Sequence, residues 1–468
     1  MNSIRPNILL ILTDDQGVWA TGCYGNSEIR TPNIDQIANS GVRFDNFFVS
    51  SPVCSPSRAT LLTGRIPSQH GVHDWIRSGN IGPGSASFLD GEVTYTDILA
   101  SHGWKCGISG KWHLGNSTLP QHGFSHWFTH QFGGGPYNNA PMVRNGLPVT
   151  EEGYVTNVIT NDALSFMDSH ANQKDPFYLS VHYTAPHSPW TGHPQNIVDS
   201  YNDCVFASCP QEPIHPWAGN LTYQHMGNRE SLKGYMAAVT AMDLDIGLLL
   251  NRLDHHGIRN DTLVVFLSDN GFSLGHHGFW GKGNGTNPLN MYENSIRVPA
   301  LISQPGRLPE GKIQDTMISA YDFMPTLLSY LDLPVPWEKN LPGRNTLGTW
   351  LGEDNNNQDF VVVYDEYGQT RMIRTEDWKY IHRYQTGPNE LYDLKNDPNE
   401  RVNLANDRGN NRRCLGLLRE LETWFDQFAV PDKDGRSRPV TGQGQLRPVG
   451  NEWDDKSPDF ALPEKSQS

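Results

Sequence analysis

Two short runs constrain this chain more than any other feature. Asn7–Thr13 and Thr262–Leu267 are apolar on both faces. Strands of that kind lie in the middle of a sheet that helices cover on both sides. Around them, strand-like and helix-like segments alternate. Strands are expected near Cys106–Ser109, Phe177–Tyr183 and Pro299–Ser303. Helices are expected at Asn33–Ser40, Ser57–Leu62, Thr96–His102, Asn157–Ser169, Leu232–His255 and Tyr321–Leu331. In the longest of these, Met236, Val239, Leu244, Leu248 and Leu249 form the expected buried side. The alternation predicts an α/β fold with a large mixed, mostly parallel sheet sandwiched by helices.

The pattern changes near residue 352. An N-terminal catalytic domain is expected over 1–352, followed by an Asn-rich linker at Gly352–Asp359 and a smaller C-terminal α+β subdomain over 360–468. That subdomain holds short strands at Phe360–Tyr364, Arg371–Arg374 and Lys379–Arg383, expected to form an antiparallel sheet, then an amphipathic helix at Arg412–Phe428. Its last part, rich in proline, glycine and charge, is expected to wrap the surface. Gly133–Gly153 and Pro186–Asn228 read as loops, and loops of that length in a compact domain tend to be functional.

Charge narrows the partners. With 36 Lys and Arg against 51 Asp and Glu, the formal net charge is −15 over 468 residues. A non-specific nucleic-acid binder needs a basic face, and an anionic membrane surface repels such a chain. No run approaches the ~18 apolar residues of a membrane span. Ile8–Leu12 is too short for the apolar core of a signal peptide and meets Asp14-Asp15 at once, so the expected location is the cytoplasm unless a leader has been removed. Six cysteines are too few for a disulfide scaffold, although Cys204 and Cys209 are near enough in sequence to close a small loop.

The chemistry concentrates at the ends of the two apolar runs. Asp14-Asp15 follow the first and Asp269-Asn270 the second. In open α/β sheets ligands bind outside the carboxyl ends of the strands, which would bring both clusters to one edge. A single Asp after a strand serves as a turn or cap residue. Three carboxylates and an amide carbonyl together are hard oxygen donors, suited to Ca²⁺ or Mg²⁺. Cys54 stands just before the helix expected at Ser57, with Arg58 returning to the same face one turn later. Residue types alone leave open a thiolate nucleophile, a metal-bound thiolate and a buried structural cysteine.

Here the residues resemble a known family. Cys54-Ser55-Pro56-Ser57-Arg58 followed by Leu62-Thr63-Gly64 is similar to the signature of type I, formylglycine-dependent sulfatases of the alkaline-phosphatase-like superfamily. Gly110-Lys111-Trp112-His113-Leu114-Gly115 resembles their second signature. Asp14-Asp15, Ser268-Asp269-Asn270-Gly271, Trp280-Gly281-Lys282, Ile296-Arg297-Val298-Pro299 and Glu390-Leu391-Tyr392-Asp393-Leu394 match further blocks in the family's order. The resemblance implies that Cys54 is oxidised to formylglycine (3-oxoalanine) by a formylglycine-generating or radical maturation enzyme that reads Cys-x-Pro-x-Arg. The aldehyde hydrate attacks sulfur, and the sulfated hydrate expels sulfate by re-forming the aldehyde. A Ca²⁺ ion, with Mg²⁺ as the other option, is then held by Asp14, Asp15, Asp269, Asn270 and the group derived from Cys54. Arg58 holds the hydrate, Lys111 and Lys282 neutralise the sulfuryl oxygens, His113 assists the hydrate, and His187 protonates the leaving oxygen.

Substrate choice falls to residues outside these blocks. Asp74 and Arg77 follow the signature helix. Trp190, and His276 at a position where many relatives carry Glu, are further candidates. Gly133-Gly134-Gly135 with Tyr137, Asn138 and Asn139, and His193, complete the set. Aromatic rings beside Asp, Asn, Arg and His suit a sulfated carbohydrate, such as a glycosaminoglycan fragment. A phosphonate monoester or phosphodiester hydrolase of the same superfamily is the alternative enzyme, and a non-catalytic binding protein on the same scaffold is a third class.

Overall fold

The computed structural model describes residues 5–353, 362–385, 387–449 and 458–462. Ten strands form the central sheet: β1 (Asn7–Thr13), β2 (Val42–Phe44), β3 (Lys105–Lys111), β4 (Phe124–His130), β5 (Asn138–Arg144), β6 (Leu147–Tyr154), β7 (Phe177–His182), β8 (Thr262–Ser268), β9 (Ala300–Ser303) and β10 (Lys312–Gln314). Their order is β10-β2-β9-β8-β1-β7-β3-β4-β5-β6. The five central strands β8, β1, β7, β3 and β4 are parallel, while β9 and the hairpin β5–β6 run antiparallel to their neighbours.

Strand β1 explains why the sheet is covered on both sides. Successive side chains of a strand point to opposite faces. Ile8, Leu10 and Leu12 enter one apolar cluster and Leu9 and Ile11 the other. On the first face lie α2 (Cys54–Thr63), α3 (Tyr95–Ser101) and α6 (Ala320–Tyr330). On the second lie α1 (Pro32–Asn39), α4 (Val155–His170) and α5 (Arg229–His255). The elements begin and end close to where the sequence places them.

Three expectations change. The buried stripe of α5 is Met236, Val239, Met242, Ile246, Leu249, Leu250 and Leu253, whereas Leu244 and Leu248 are 53% and 48% exposed. The helical period places those two leucines on the solvent side. Gly133–Gly153 is a loop only to Tyr137; beyond it β5 and β6 extend the sheet edge. Short strand-like runs in a polar edge hairpin lack the apolar continuity that betrays a buried strand. Pro186–Asn228 is largely loop but holds two short helices, at Gln195–Asp199 and Asn220–His225.

The C-terminal part forms an antiparallel sheet, β11 (Val363–Tyr367), β12 (Thr370–Arg374), β13 (Trp378–Arg383) and β14 (Glu390–Asp393), covered by α7 (Asn411–Phe428). Tyr364, Ile373, Tyr380 and Leu391 meet Leu421 and Phe425 of α7. Val363, Tyr367, Met372 and Ile381, on the other face, join the main core. The expected linker runs into residues 354–361, and with it the expected strand start at Phe360, which lie outside the described residues. Cys204 and Cys209 are both free thiols. Among the described residues no helix is long and apolar enough to cross a membrane.

The two faces of α5 make a stability test. Leu249→Ala removes a fully buried side chain and is expected to cost about 2–5 kcal/mol, while Leu248→Ala stays within about 0.5 kcal/mol. Denaturant unfolding of both variants checks this; equal losses would contradict the assigned faces.

Candidate active site

The site is built at the carboxyl ends of four neighbouring parallel strands. Register pairs Thr13 with Ser268, Leu12 with His182, and Gly110 with His182. Asp14-Asp15 after β1, Lys111 closing β3, His182 closing β7 and Asp269-Asn270 after β8 therefore share one edge. The backbone NH of Asp15 donates to Asp269 Oδ1 at 3.3 Å. Asp15 itself takes a positive φ of 66°, a conformation costly for a non-glycine residue and found where a site dictates the backbone.

Helix α2 delivers Cys54 and Arg58 to that edge. Its ten residues are all buried, and Cys54 is its first residue rather than the one before it. Arg58 Nε donates to Asp269 Oδ2 at 2.9 Å and its Nη1 to the Lys111 carbonyl at 3.0 Å. Lys111 Nζ lies 2.6 Å from Asp14 Oδ2, both side chains being fully buried. Lys282 Nζ pairs with Asp15 Oδ1 and donates to Cys54 Sγ at 2.8 Å. The Cys54 thiol donates to Asp14 Oδ1 at 3.4 Å. Three carboxylates thus meet three cations one to one.

Burial pushes the Cys54 thiol up to about 12, with Asp14 adding to the rise against Lys111 and Lys282. The unmodified thiol is therefore protonated near neutrality and a poor nucleophile. Burial alone would raise the Asp14 carboxyl, but Lys111, His187 and Lys282 hold it below its ordinary value.

Donor atoms of Asp14, Asp15, Cys54 and Asp269 lie within 4.8 Å of one another. Asn270 donates its amide to Asp15 Oδ1 at 2.7 Å, while its own Oδ1 is buried without a hydrogen-bond partner. An orphaned amide oxygen beside three carboxylates is an acceptor set for a hard cation. The residues present fit a Ca²⁺ or Mg²⁺ ion.

His113 and His187 line the same cleft as Cys54. His113 Nε2 donates to the Ile76 carbonyl at 3.0 Å, which leaves Nδ1 as the lone-pair nitrogen, buried and without a partner. Burial, reinforced by Lys111, drives its pKa well below the imidazole range. It is a neutral ring with one free acceptor nitrogen. His187 Nδ1 donates to the Ser188 carbonyl at 2.7 Å and its Nε2 lies 3.8 Å from Asp15 Oδ2. Tyr137 supports it by donating to the His187 carbonyl at 2.8 Å. Both rings lie against the Gly133–Gly135 turn. A Cβ at Gly133 would come 2.2 Å from the His113 ring, and one at Gly134 3.0 Å from His187.

A cleft of about 340 Å³ opens over these groups, lined by Cys54, Arg77, His113, Gly133, His187 and Lys282 among others. A second lobe of about 470 Å³ shares Trp75, His187, Lys282 and Asn284 with it. Arg77 is at the cleft as expected. Three other expected substrate residues are not. Asp74 is fully buried and accepts from Tyr367 Oη, from the Gly444 NH at 3.0 Å and from the Trp75 NH at 2.9 Å. Trp190 is buried against Phe272 and Trp280, its indole donating to the Pro186 carbonyl. His276 lies tilted against Trp19, ring centroids 5.0 Å apart, and its Nε2 donates to the Ser208 carbonyl at 3.0 Å. Their neighbours in sequence carry the motif, but their side chains turn inward to hold loops together.

Sequence reasoning missed several participants. Ser55 Oγ donates to the His113 carbonyl and accepts from the Ile76 NH. His182 touches the Lys111 carbonyl at 2.9 Å and Arg58 at 3.4 Å. Its position at the carboxyl end of a central strand was the available signal.

With this geometry in hand, comparison with known proteins is specific. The sulfatase family model matches residues 6–333, and the model for the C-terminal region of N-sulphoglucosamine sulphohydrolase matches 275–427. An N-acetylglucosamine-6-O-sulfatase of Bacteroides thetaiotaomicron is 29% identical over 96% of this chain and 91% of its own. A protein solved in complex with its substrate D-glucosamine-2-N,6-O-disulfate superposes with TM-score 0.76 at 27% identity, covering 92% of this chain and 99% of that one. The phosphonate monoester hydrolase of Agrobacterium radiobacter, at 21% identity and TM-score 0.67 over 91% of this chain and 96% of its own, shares the fold alone. The chain belongs to the sulfatase family. It is a sulfuric ester hydrolase on the alkaline-phosphatase-like scaffold.

Crowding at the glycine turn yields a test. Gly133→Ala displaces His113 and is expected to lower kcat roughly tenfold or more with little change in the unfolding midpoint. Unchanged turnover would remove the turn from the catalytic arrangement.

Proposed function

We propose that this sulfatase hydrolyses sulfate esters of a carbohydrate, working through formylglycine made from Cys54 and a bound divalent cation, Ca²⁺ foremost. The observation that carries the chemistry is the ring of Asp14, Asp15, Asp269 and the orphaned Asn270 Oδ1 around Cys54. The carbohydrate rests on relatives named for sugar sulfates.

Asp14, Asp15, Asp269, Asn270 and the group at position 54 would hold the ion. When bound, it acidifies an adjoining hydroxyl and neutralises negative charge on a sulfuryl oxygen. An aldehyde at position 54 supplies, as its hydrate, the hydroxyl that the buried thiol cannot replace.

The remaining work falls to the chain's own side chains. Since the three carboxylates are already matched by Arg58, Lys111 and Lys282, a divalent ion leaves the pocket with net positive charge, suited to an anionic sulfate ester on a protein of charge −15. Lys111 and Lys282 would neutralise charge on the sulfuryl oxygens as it builds there. Arg58, locked by Asp269, orients the group at position 54. His113 Nδ1 accepts a proton from it. His187, half-buried on the open side of the cleft, delivers a proton to the leaving sugar oxygen. Encounter with Cys-x-Pro-x-Arg by a maturation enzyme must precede folding, because Cys54 to Arg58 are buried in the finished protein.

The deciding experiment is a screen of sulfated mono- and disaccharides against fully modified protein, read by sulfate release, with 4-nitrophenyl sulfate and phenyl phosphonate alongside. Release from a sulfated sugar is expected; modified protein inert on every sulfate ester refutes the proposal. Cys54→Ala is expected to abolish turnover with an unchanged unfolding midpoint, and intact-mass analysis of active protein should find the thiol replaced by an aldehyde. Chelation of divalent cations should remove activity and Ca²⁺ restore it; activity surviving complete metal removal excludes the cation.

A further inference from the structure

The C-terminal tail reaches into the cleft. It lies beyond both matched family regions, which end at residues 333 and 427. Residue Gln445 pairs in parallel with Ile76, the Arg77 NH donates to the Gln445 carbonyl at 2.9 Å, and the Gln445 NH donates to the Trp75 carbonyl at 2.7 Å. The Gln445 side chain, fully buried, accepts from the His73 NH at 2.8 Å and donates to the Gly71 carbonyl at 3.0 Å. Asp74 closes the clamp through the Gly444 NH and Tyr367. Residues 71–77 are thereby held in extended contact with the tail through one isolated bridge at Ile76, and Gly442 and Gln443 become cleft wall.

This clamp presents Arg77 in an unusual state. Its side chain is exposed and lines the same cleft as Cys54. Its Nη1 donates only to the neutral Gln443 carbonyl, at 3.2 Å, and its guanidinium lies 6.0 Å from the Trp75 ring. Among the described residues no carboxylate forms an ion pair with it, although Asp and Glu outnumber Lys and Arg in the chain. Every cation beneath it is already paired. A guanidinium kept without a counter-ion and aimed at a substrate cleft is a fork for a planar or tetrahedral anion.

We propose that Arg77, fixed by the tail segment Thr441–Gln445, recognises a second anionic group of the substrate, a carboxylate or an additional sulfate carried near the scissile sulfate. Trp75 beside it offers the ring face for the sugar that carries that group. This rests on the sulfated-saccharide reading of the cleft. The tail residues act through Arg77 and are positioning residues; Arg77 is the specificity-determining contact.

The test compares matched substrates on the full-length modified enzyme: N-acetylglucosamine 6-sulfate, D-glucosamine-2-N,6-O-disulfate, and a 6-sulfated N-acetylhexosamine linked to a uronate. The wild-type protein is expected to favour one of the doubly anionic compounds by about tenfold or more in kcat/KM, mainly through KM. Which one it favours tells a carboxylate from a sulfate. Arg77→Ala should erase that preference, and Arg77→Lys should retain part of it, since the charge remains without the fork. A wild-type enzyme with no such preference, or an Arg77→Ala variant that keeps it, overturns the proposal. Turnover of 4-nitrophenyl sulfate with no release from any saccharide instead overturns the sugar reading on which it rests.

Discussion

Three buried ion pairs organise this molecule. Arg58–Asp269, Lys111–Asp14 and Lys282–Asp15 each join one element of the fold to another, and all converge on Cys54. Burying six charges is tolerable only because each meets its opposite at close range; removing one partner of such a pair typically costs about 3–5 kcal/mol. The arrangement requires parallel strands, since only then do the carboxyl ends of β1, β3 and β8 face the same side. It also requires a helix that begins at Cys54, so that Arg58 reaches Asp269 one turn later.

The same pairs explain how an acidic protein handles an anionic ester. Arg58, Lys111 and Lys282 balance the three carboxylates of the pocket, so a divalent ion bound there would tip it positive. The two histidines complete the arrangement with different means. His113 is held neutral and in one tautomer by burial and by the Ile76 carbonyl. His187 is half-buried and lines the open cleft. Ile76 ties His113 to the segment braced by the tail, so the cleft wall and the site share one stretch of chain.

Much of this was legible in the residues. The two doubly apolar strands, the acidic pairs that end them and the blocks around Cys54 and Lys111 carried fold class and reactive groups together. What failed had a common cause. Asp74, Trp190 and His276 sit in or beside motif segments, and their residue types suit sugar recognition, yet each is recruited to a neighbouring loop. Leu244 and Leu248 look like core residues in a leucine-rich helix, but the apolar stripe of α5 is set by Met242, Ile246 and Leu249 on the adjoining face. The β5–β6 hairpin escaped notice because an edge hairpin needs no apolar run.

By itself the sequence carried the two doubly apolar strands, the hard oxygen donors that follow them and, through their resemblance to the sulfatase signatures, the blocks around Cys54 and Lys111. Only the tertiary structure decided which side chains face the cleft. Side-chain direction near a loop depends on partners hundreds of residues away, as when Tyr367 and Gly444 turn Asp74 inward and Gln443 and Gln445 set Arg77 outward. Those contacts join residues 74–77 to residues from 367 to 445, and no local pattern encodes a pairing across that separation.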